Sequence, residues 1–302
     1  MQLRSAALLV LPLLSWAQEL TLRPSLRVGD SFELELVRVR EDSRRPQANG
    51  KSRTVVRVRV LEAGPKGFVL EWQQGATAFD NPEIVKNPIA AAAANAVKDM
   101  SIEAILGSDG EYVGLRNQAE VAGKLQSMLD GMLSSIGKQL QDPSQRQTVE
   151  TLARRLMSPE FLLSAAASDV QTYFGLHGAV LVKGKSVETP IQQPSPLGSG
   201  TVPATFRVTL ESLDAHQAYL SSDTAYDPRA LAALTKQLAA QAAPGATSTL
   251  PSTVEMTDSG RYIYNRAFGL MNELAITRRI VAGEGATRVD GREIRLLTRP
   301  NR

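Results

Sequence analysis

The phrases TAFDNPEI (77–84) and TAYDPRAL (224–231) are near-copies within one chain. What surrounds them decides the fold. Before the first lies RTVVRVRVLEAGPKGFVLEW, and before the second PATFRVTLESLDAHQAYLSS. Each is a pair of alternating runs: Val56, Val58 and Val60 then Phe68, Leu70 and Trp72; Phe206, Val208 and Leu210 then Ala218 and Leu220. A two-residue period marks half-buried strands. The joining segments 64–67 and 214–217 read as turns. After each copy come a helical stretch and then SIEAILGSDGEYV or TVEMTDSGRYI. These read as strand, turn and strand, with Asp109-Gly110 and Ser259-Gly260 at the turns. The order hairpin, TA[FY]D, helix, [ST][IV]E, hairpin therefore occurs twice. It predicts a duplicated β-meander, in repeats of about 18–141 and 142–302, within a single α+β domain. The expected architecture is a mostly antiparallel curved sheet or half-barrel with inserted helices. In TA[FY]D itself, Asp80 or Asn81 before Pro82, and Asp227 before Pro228, fit helix N-caps followed by proline at the first helical position. The aromatic Phe79 or Tyr226 is expected to pack on the sheet.

LRVGDSFELELVRVRED (26–42) reads as one long strand, with Phe32, Leu34 and Leu36 on one face. The pattern changes phase at Val37 and Arg38, which suggests a bulge or the strand's end. Glu33 and Glu35 are placed to pair with Arg57 and Arg59 across strands, at roughly 0.2–1 kcal/mol each. Segment 41–51 is a polar loop. From Val121 to Leu140 the residues Leu125, Met128, Leu129, Met132, Leu133 and Ile136 make one apolar helical stripe. Asp142-Pro143-Ser144-Gln145 resembles a capping box before Val149, Leu152 and Leu156, and Ser158-Pro159 starts a further helix. QQPSPLGSGTVP (192–203) reads as a loop. A helix from Pro228 ends near Pro244-Gly245, and the remaining segment is strand, turn, strand with Asp290-Gly291 as a further turn.

The chain opens MQLRSAALLVLPLLSWAQ: one positive charge, a short apolar run, and the small residues Ser15 and Ala17 around Trp16. This is the layout of a secretory signal peptide, residues 1–17, cleaved after about Ala17. The run is shorter than the roughly 20 residues a bilayer span requires. The expected product is a periplasmic or secreted chain with no transmembrane segment. Cysteine is absent from the sequence, so neither disulfides nor thiol chemistry are available. The formal net charge of +3 carries no one-signed block, which argues against nucleic acid as a partner.

Motifs that carry chemistry are sparse. His177 and His216 lie on separate segments, too few to assemble a metal site, and no cofactor is implied. The strings of zincins, P-loops, EF-hands and nucleophile elbows do not occur. Ser135-Ile136-Gly137-Lys138 matches S-x-x-K, but Ile136 belongs to the helical stripe and the partner motifs of penicillin-binding enzymes are missing. The pairs Arg44-Arg45, Arg154-Arg155 and Arg278-Arg279 read as solvated surface. The expectation is a protein without catalytic residues.

LRVGDSFELELVR, YFGLHGAVLVKGKSVE and VEMTDSGRYIYNRAF resemble segments of uncharacterised exported bacterial proteins of a domain of unknown function. That resemblance implies an envelope location. More distantly, the layout is similar to lipoprotein-carrier half-barrels, in which a curved sheet wraps helices and shelters acyl chains. Two readings follow, beside a third, a hydrolase whose catalytic residues form no recognisable motif. In the first, the protein binds an apolar small molecule or lipid between sheet and helix, lined by Phe68, Trp72, Leu125, Met128, Leu129 and Met132, unless these residues simply form the core. In the second, it is a structural module that docks an envelope protein.

Overall fold

The computed structural model describes residues 18–86, 98, 100–139, 142–195, 201–241, 253–283 and 288–300. The expected leader 1–17, Leu140, the loop tip at 196–200, Pro244-Gly245, and the side chains of Lys138, Leu152, Arg155 and Leu156 lie outside the described residues.

The strands are β1 (Glu19–Thr21), β2 (Ser31–Asp42), β3 (Gly50–Gly64), β4 (Gly67–Phe79), β5 (Ser101–Leu106), β6 (Tyr112–Leu115), β7 (Val180–Val182), β8 (Ser186–Pro194), β9 (Thr201–Leu213), β10 (Gln217–Tyr226), β11 (Val254–Asn265), β12 (Leu270–Ala282) and β13 (Val289–Thr298). The helices are α1 (Pro82–Lys86), α2 (Gln118–Gln139), α3 (Pro143–Leu156), α4 (Pro159–Phe174) and α5 (Pro228–Gln241). The class is α+β. β1 and β7 form a small sheet, and the other eleven strands form one curved, open antiparallel sheet in the order β6-β5-β4-β3-β2-β13-β12-β11-β10-β9-β8. Within that sheet β13 pairs with β2, from Gly291↔Asp42 to Thr298↔Glu35, which joins the strands of the chain's beginning to those of its end. Around each TA[FY]D copy the strands take the same neighbours. A hairpin (β3–β4 or β9–β10) is followed by a capped helix, and the next strand returns beside the hairpin's second member.

The caps form as the sequence dictates. Asp227 Oδ1 accepts the N–H groups of Arg229 (2.8 Å) and Ala230 (3.3 Å). In the first copy the cap is Asn81, whose Oδ1 accepts from Glu83 N–H at 2.9 Å, while Asp80 accepts from Lys51 N–H. Such caps contribute about 1 kcal/mol each. Asp142 caps α3 by accepting from the N–H and hydroxyl of Ser144, and Ser158 caps α4.

One face of the sheet carries the core. Leu34, Leu36, Val56, Val58, Val60, Leu70, Trp72 and Ile102 point inward against Val121, Leu125, Leu129 and Leu133 of α2 and Leu162, Val170, Tyr173 and Phe174 of α4. Burying one such large apolar side chain is worth roughly 1.5–3 kcal/mol. Tyr173 stands at the centre of an aromatic group with Phe32, Trp72 and Phe174, and its hydroxyl donates to the Met271 carbonyl at 2.7 Å. A second, smaller core lies under α5: Val202, Ala204, Tyr226, Leu231 and Met256.

Four local expectations are corrected. β2 does not bulge or end at Val37: it pairs without a register shift to Asp42, and the residue in phase with Leu36 is Arg38, which reaches Asp169 on α4. Ser259-Gly260 and Asp290-Gly291 are not turns. They sit inside β11 and β13, where a neighbour on each side supplies a continuous ladder, and neither glycine has a positive φ. Gly110, at φ 89°, does make its turn. The loop expected at 192–203 is shorter, because β8 runs to Pro194 and β9 starts at Thr201. β8 is an edge strand, where Pro190 is tolerated. Glu33 does pair with Arg57 at 3.3 Å, but Glu35 takes Arg53 and Arg59 takes Glu71, because Glu35 stands opposite Val55 and Arg59 opposite Ser31 and Glu71.

Candidate functional site

The register of β10 to β13 builds a trough on the inner face. Alternation places Val254, Met256, Asp258, Gly260 and Tyr262 of β11 on that face, and Ser222, Thr224 and Tyr226 of β10 beside them. Across the sheet, Thr224 faces Asp258, Asp258 faces Arg278, and Arg278 faces Glu293. The adjacent row runs Ser222, Gly260, Ile276, Arg295 and Arg38. Two rows of a sheet that is mainly apolar on its inner face are therefore largely polar. They lie between the core under α2 and α4 and the smaller core under α5.

Between these rows and the last turns of α4 is a cavity of about 300 Å³. Phe206, Ile276, Tyr262, Ile191 and Leu176 supply its apolar lining. Gln171 and Thr172 of α4, Ser222, Thr224, Asp258, Arg278, Glu293 and Arg295 supply the polar part.

The charges interlock. Arg278 donates through Nε and Nη2 to the two oxygens of Asp258, at 2.8 and 2.7 Å, and through Nη2 to the Tyr226 hydroxyl at 2.9 Å. Tyr226 in turn donates to Asp258 Oδ2 at 2.7 Å. Burial, together with the Asp258 charge, pushes the Tyr226 phenol well above its ordinary range, so it stays a donor. Burial acts to lower the Arg278 pKa, but the bidentate Asp258 outweighs it and the guanidinium is held charged. Burial acts to raise Glu293, yet Arg295, then Arg278 and Arg38, together keep its carboxyl below the usual range. On the far side Arg38 donates to Asp169 Oδ2 at 2.6 Å, and Gln74 makes a long contact to the same oxygen at 3.5 Å. Asp169 Oδ1 and Arg38 Nε are buried without a partner among the described residues. Arg40, opposite Glu293 at the outer end, is exposed beside Asp42.

The six residues expected to line a ligand groove lie elsewhere. Trp72, Leu125 and Leu129 are buried in the main core, Phe68 and Met128 pack against it, and Met132 is half-buried on α2. None of them lines the trough. His177 is buried in the turn that follows α4, where its Nε2 meets the Gly269 carbonyl at 2.9 Å, and burial lowers its pKa. His216 lies in the β9–β10 turn, and Ser135 is exposed on α2. Among the described residues no group of three potential ligands is placed to hold a metal. No described helix is long and apolar enough to cross a membrane. The signal for the trough was present in the sequence: Arg38, Asp258, Arg278, Glu293 and Arg295 share the phase of mostly apolar inner positions on their strands.

No family model matches the sequence, and no curated protein matches it. Among solved structures the chain is distantly similar to lipovitellin, in a structure that concerns its lipid–protein interactions. The TM-score is 0.44 and the identity 7% over 92% of this chain. The chain spans 26% of the length of that lipovitellin chain.

Proposed function

We propose that the protein is a non-catalytic binding module that takes a small amphiphilic molecule, apolar or lipid-like over most of its surface, into the trough. One observation carries this reading: a cavity of about 300 Å³ with an apolar floor and a charged rim, on a sheet braced by helices on both sides. Small-molecule sites are mainly apolar with a few placed polar groups, and this volume lies at the low end of their roughly 300–1,000 Å³ range. It suits a single chain or ring system better than a multi-chain lipid. The leader-like opening of the sequence supports an exported, envelope location.

The test is native mass spectrometry of the protein recovered from the exported fraction of an expression host, followed by organic extraction and titration with anilinonaphthalene sulfonate. An extra mass that extracts as an amphiphile, and dye binding that Ile276→Trp or Thr172→Trp weakens at least tenfold, are expected. A clean apo mass with dye binding unchanged by both variants refutes the reading and favours a module that docks an envelope protein.

A further inference from the structure

The trough's charges constrain what enters it. Three acids (Asp169, Asp258, Glu293) and three arginines (Arg38, Arg278, Arg295) occupy the inner face within two adjoining rows and the helix above them. One of the three pairings is closed, because Arg278 engages both Asp258 oxygens. A second lies outside the cavity lining: Arg38 with Asp169, whose side chain is 2% exposed. The third pairing is open to the cavity. Arg295 and Glu293 sit two residues apart on β13, with side chains 26% and 37% exposed, and both line the cavity. Among the described residues Arg295 donates only through Nε, to Glu293 Oε1 at 2.8 Å. Its two terminal nitrogens remain as donors, and Glu293 Oε2 remains as an acceptor. Ile276, opposite Arg295 on β12, carries the apolar floor directly alongside.

Resting on the trough reading, we propose that the occupant carries a net-neutral dipolar head, with its anionic part on the terminal nitrogens of Arg295 and its cationic part on Glu293. The four charges that line the cavity, Asp258, Arg278, Glu293 and Arg295, sum to zero. A half-buried site in that condition leaves an added monoanion or monocation without compensation, and burying an unpaired charge is costly. A zwitterion adds no net charge and meets a donor fork and a free carboxylate oxygen together. Planar guanidinium donors suit a carboxylate or phosphate, and hydrogen bonds to charged groups are roughly twice as strong as neutral ones. An alcohol head uses only part of this inventory.

The experiment holds the tail constant and varies the head. Calorimetric titrations compare dodecyl dimethylglycine (zwitterion), dodecanoate, dodecylamine and dodecanol, each below its micelle concentration, on the full exported chain. The expected result is zwitterion binding about tenfold tighter than the acid or the amine. Glu293→Gln should shift the preference to dodecanoate, and Arg295→Gln should shift it to dodecylamine. A merely structural role for the pair does not reverse a charge preference. Because the pair is partly exposed, neither variant removes much stability, and near-ultraviolet dichroism checks the fold. If dodecanoate or dodecylamine binds best to the unmodified protein, or if both variants bind with unchanged preference, the head-group assignment is overturned while the trough reading stands. If none of the four probes binds, the trough reading itself fails, and the assignment with it.

Discussion

Replacing Arg38 by methionine removes the one cation paired with Asp169 among the described residues. The carboxylate is left in place, 2% exposed, with the 3.5 Å Gln74 contact as its remaining hydrogen-bond partner among the described residues. Removing one member of a buried ion pair typically costs 3–5 kcal/mol, because the surviving charge stays desolvated and alone. Arg38 itself is 42% exposed, so water already reaches part of the pair, and the lower end applies, about 3 kcal/mol. For a chain of this size that is roughly 6–10 °C in melting temperature. Urea denaturation followed by far-ultraviolet dichroism gives the free energy directly, and the m-value should stay constant if the native fold persists. The double variant Arg38→Met, Asp169→Leu should recover most of the loss, because an apolar pair fills the same space with no charge to desolvate. A single variant costing under about 1 kcal/mol, or a double variant no better than the single, refutes this account of the pair.

Asp227→Ala should cost about 1 kcal/mol through the lost cap, read as faster amide exchange confined to α5 and the strand bearing Met256. Gly260→Ala should destabilise by about 1–3 kcal/mol, because the new methyl would stand 2.4 Å from Ser222 Oγ and 2.7 Å from Tyr262 Oη; adding Ser222→Ala should relieve part of this in chemical denaturation. Burial holds His177 below its ordinary pKa, so between that value and the unfolded value of about 6.5 the unfolded chain binds the extra proton. Stability should therefore fall as pH drops below about 6.5, and His177→Gln should flatten that slope in melting curves collected across the range.

The antiparallel strands were legible because alternation is strong in β3, β4, β9 and β10, and Asn81 and Asp227 announce their helices through the proline that follows. The amphipathic stripe of α2 was legible for the same kind of reason. What misled was polarity in an inner phase. Arg38 was taken for a change of phase, although Leu34, Leu36 and Arg38 keep strict alternation and the arginine is satisfied by a helix far along the chain. Asp-Gly and Ser-Gly dipeptides were taken for turns at 259–260 and 290–291, because local turn chemistry was read without the flanking strands that hold those residues extended. The trough was missed for a related reason. Apolar residues such as Trp72 and Leu129 were read as ligand-facing when burial in the core sufficed for them. Of the charged residues that face the cavity, Arg278 was read as solvated surface, whereas it is 27% exposed and held by Asp258, and Asp258, Glu293 and Arg295 drew no site reading. The pairing of β13 with β2, which brings Arg295 opposite Arg38, has no local signature at all.

That central seam also joins residues far apart along the chain. Asp290 and Ser43 meet across it at a separation of 247 residues. The seam carries a loop-closure cost of about 5 kcal/mol from the logarithm of its length alone. Its pairing is therefore expected to be a slow step, one of high contact order. Until β13 docks, β2 presents a twelve-residue unpaired edge in the middle of the future sheet. An exposed strand of that length is a template for pairing with another chain. Refolding yield is therefore expected to depend on protein concentration far more than finished stability does.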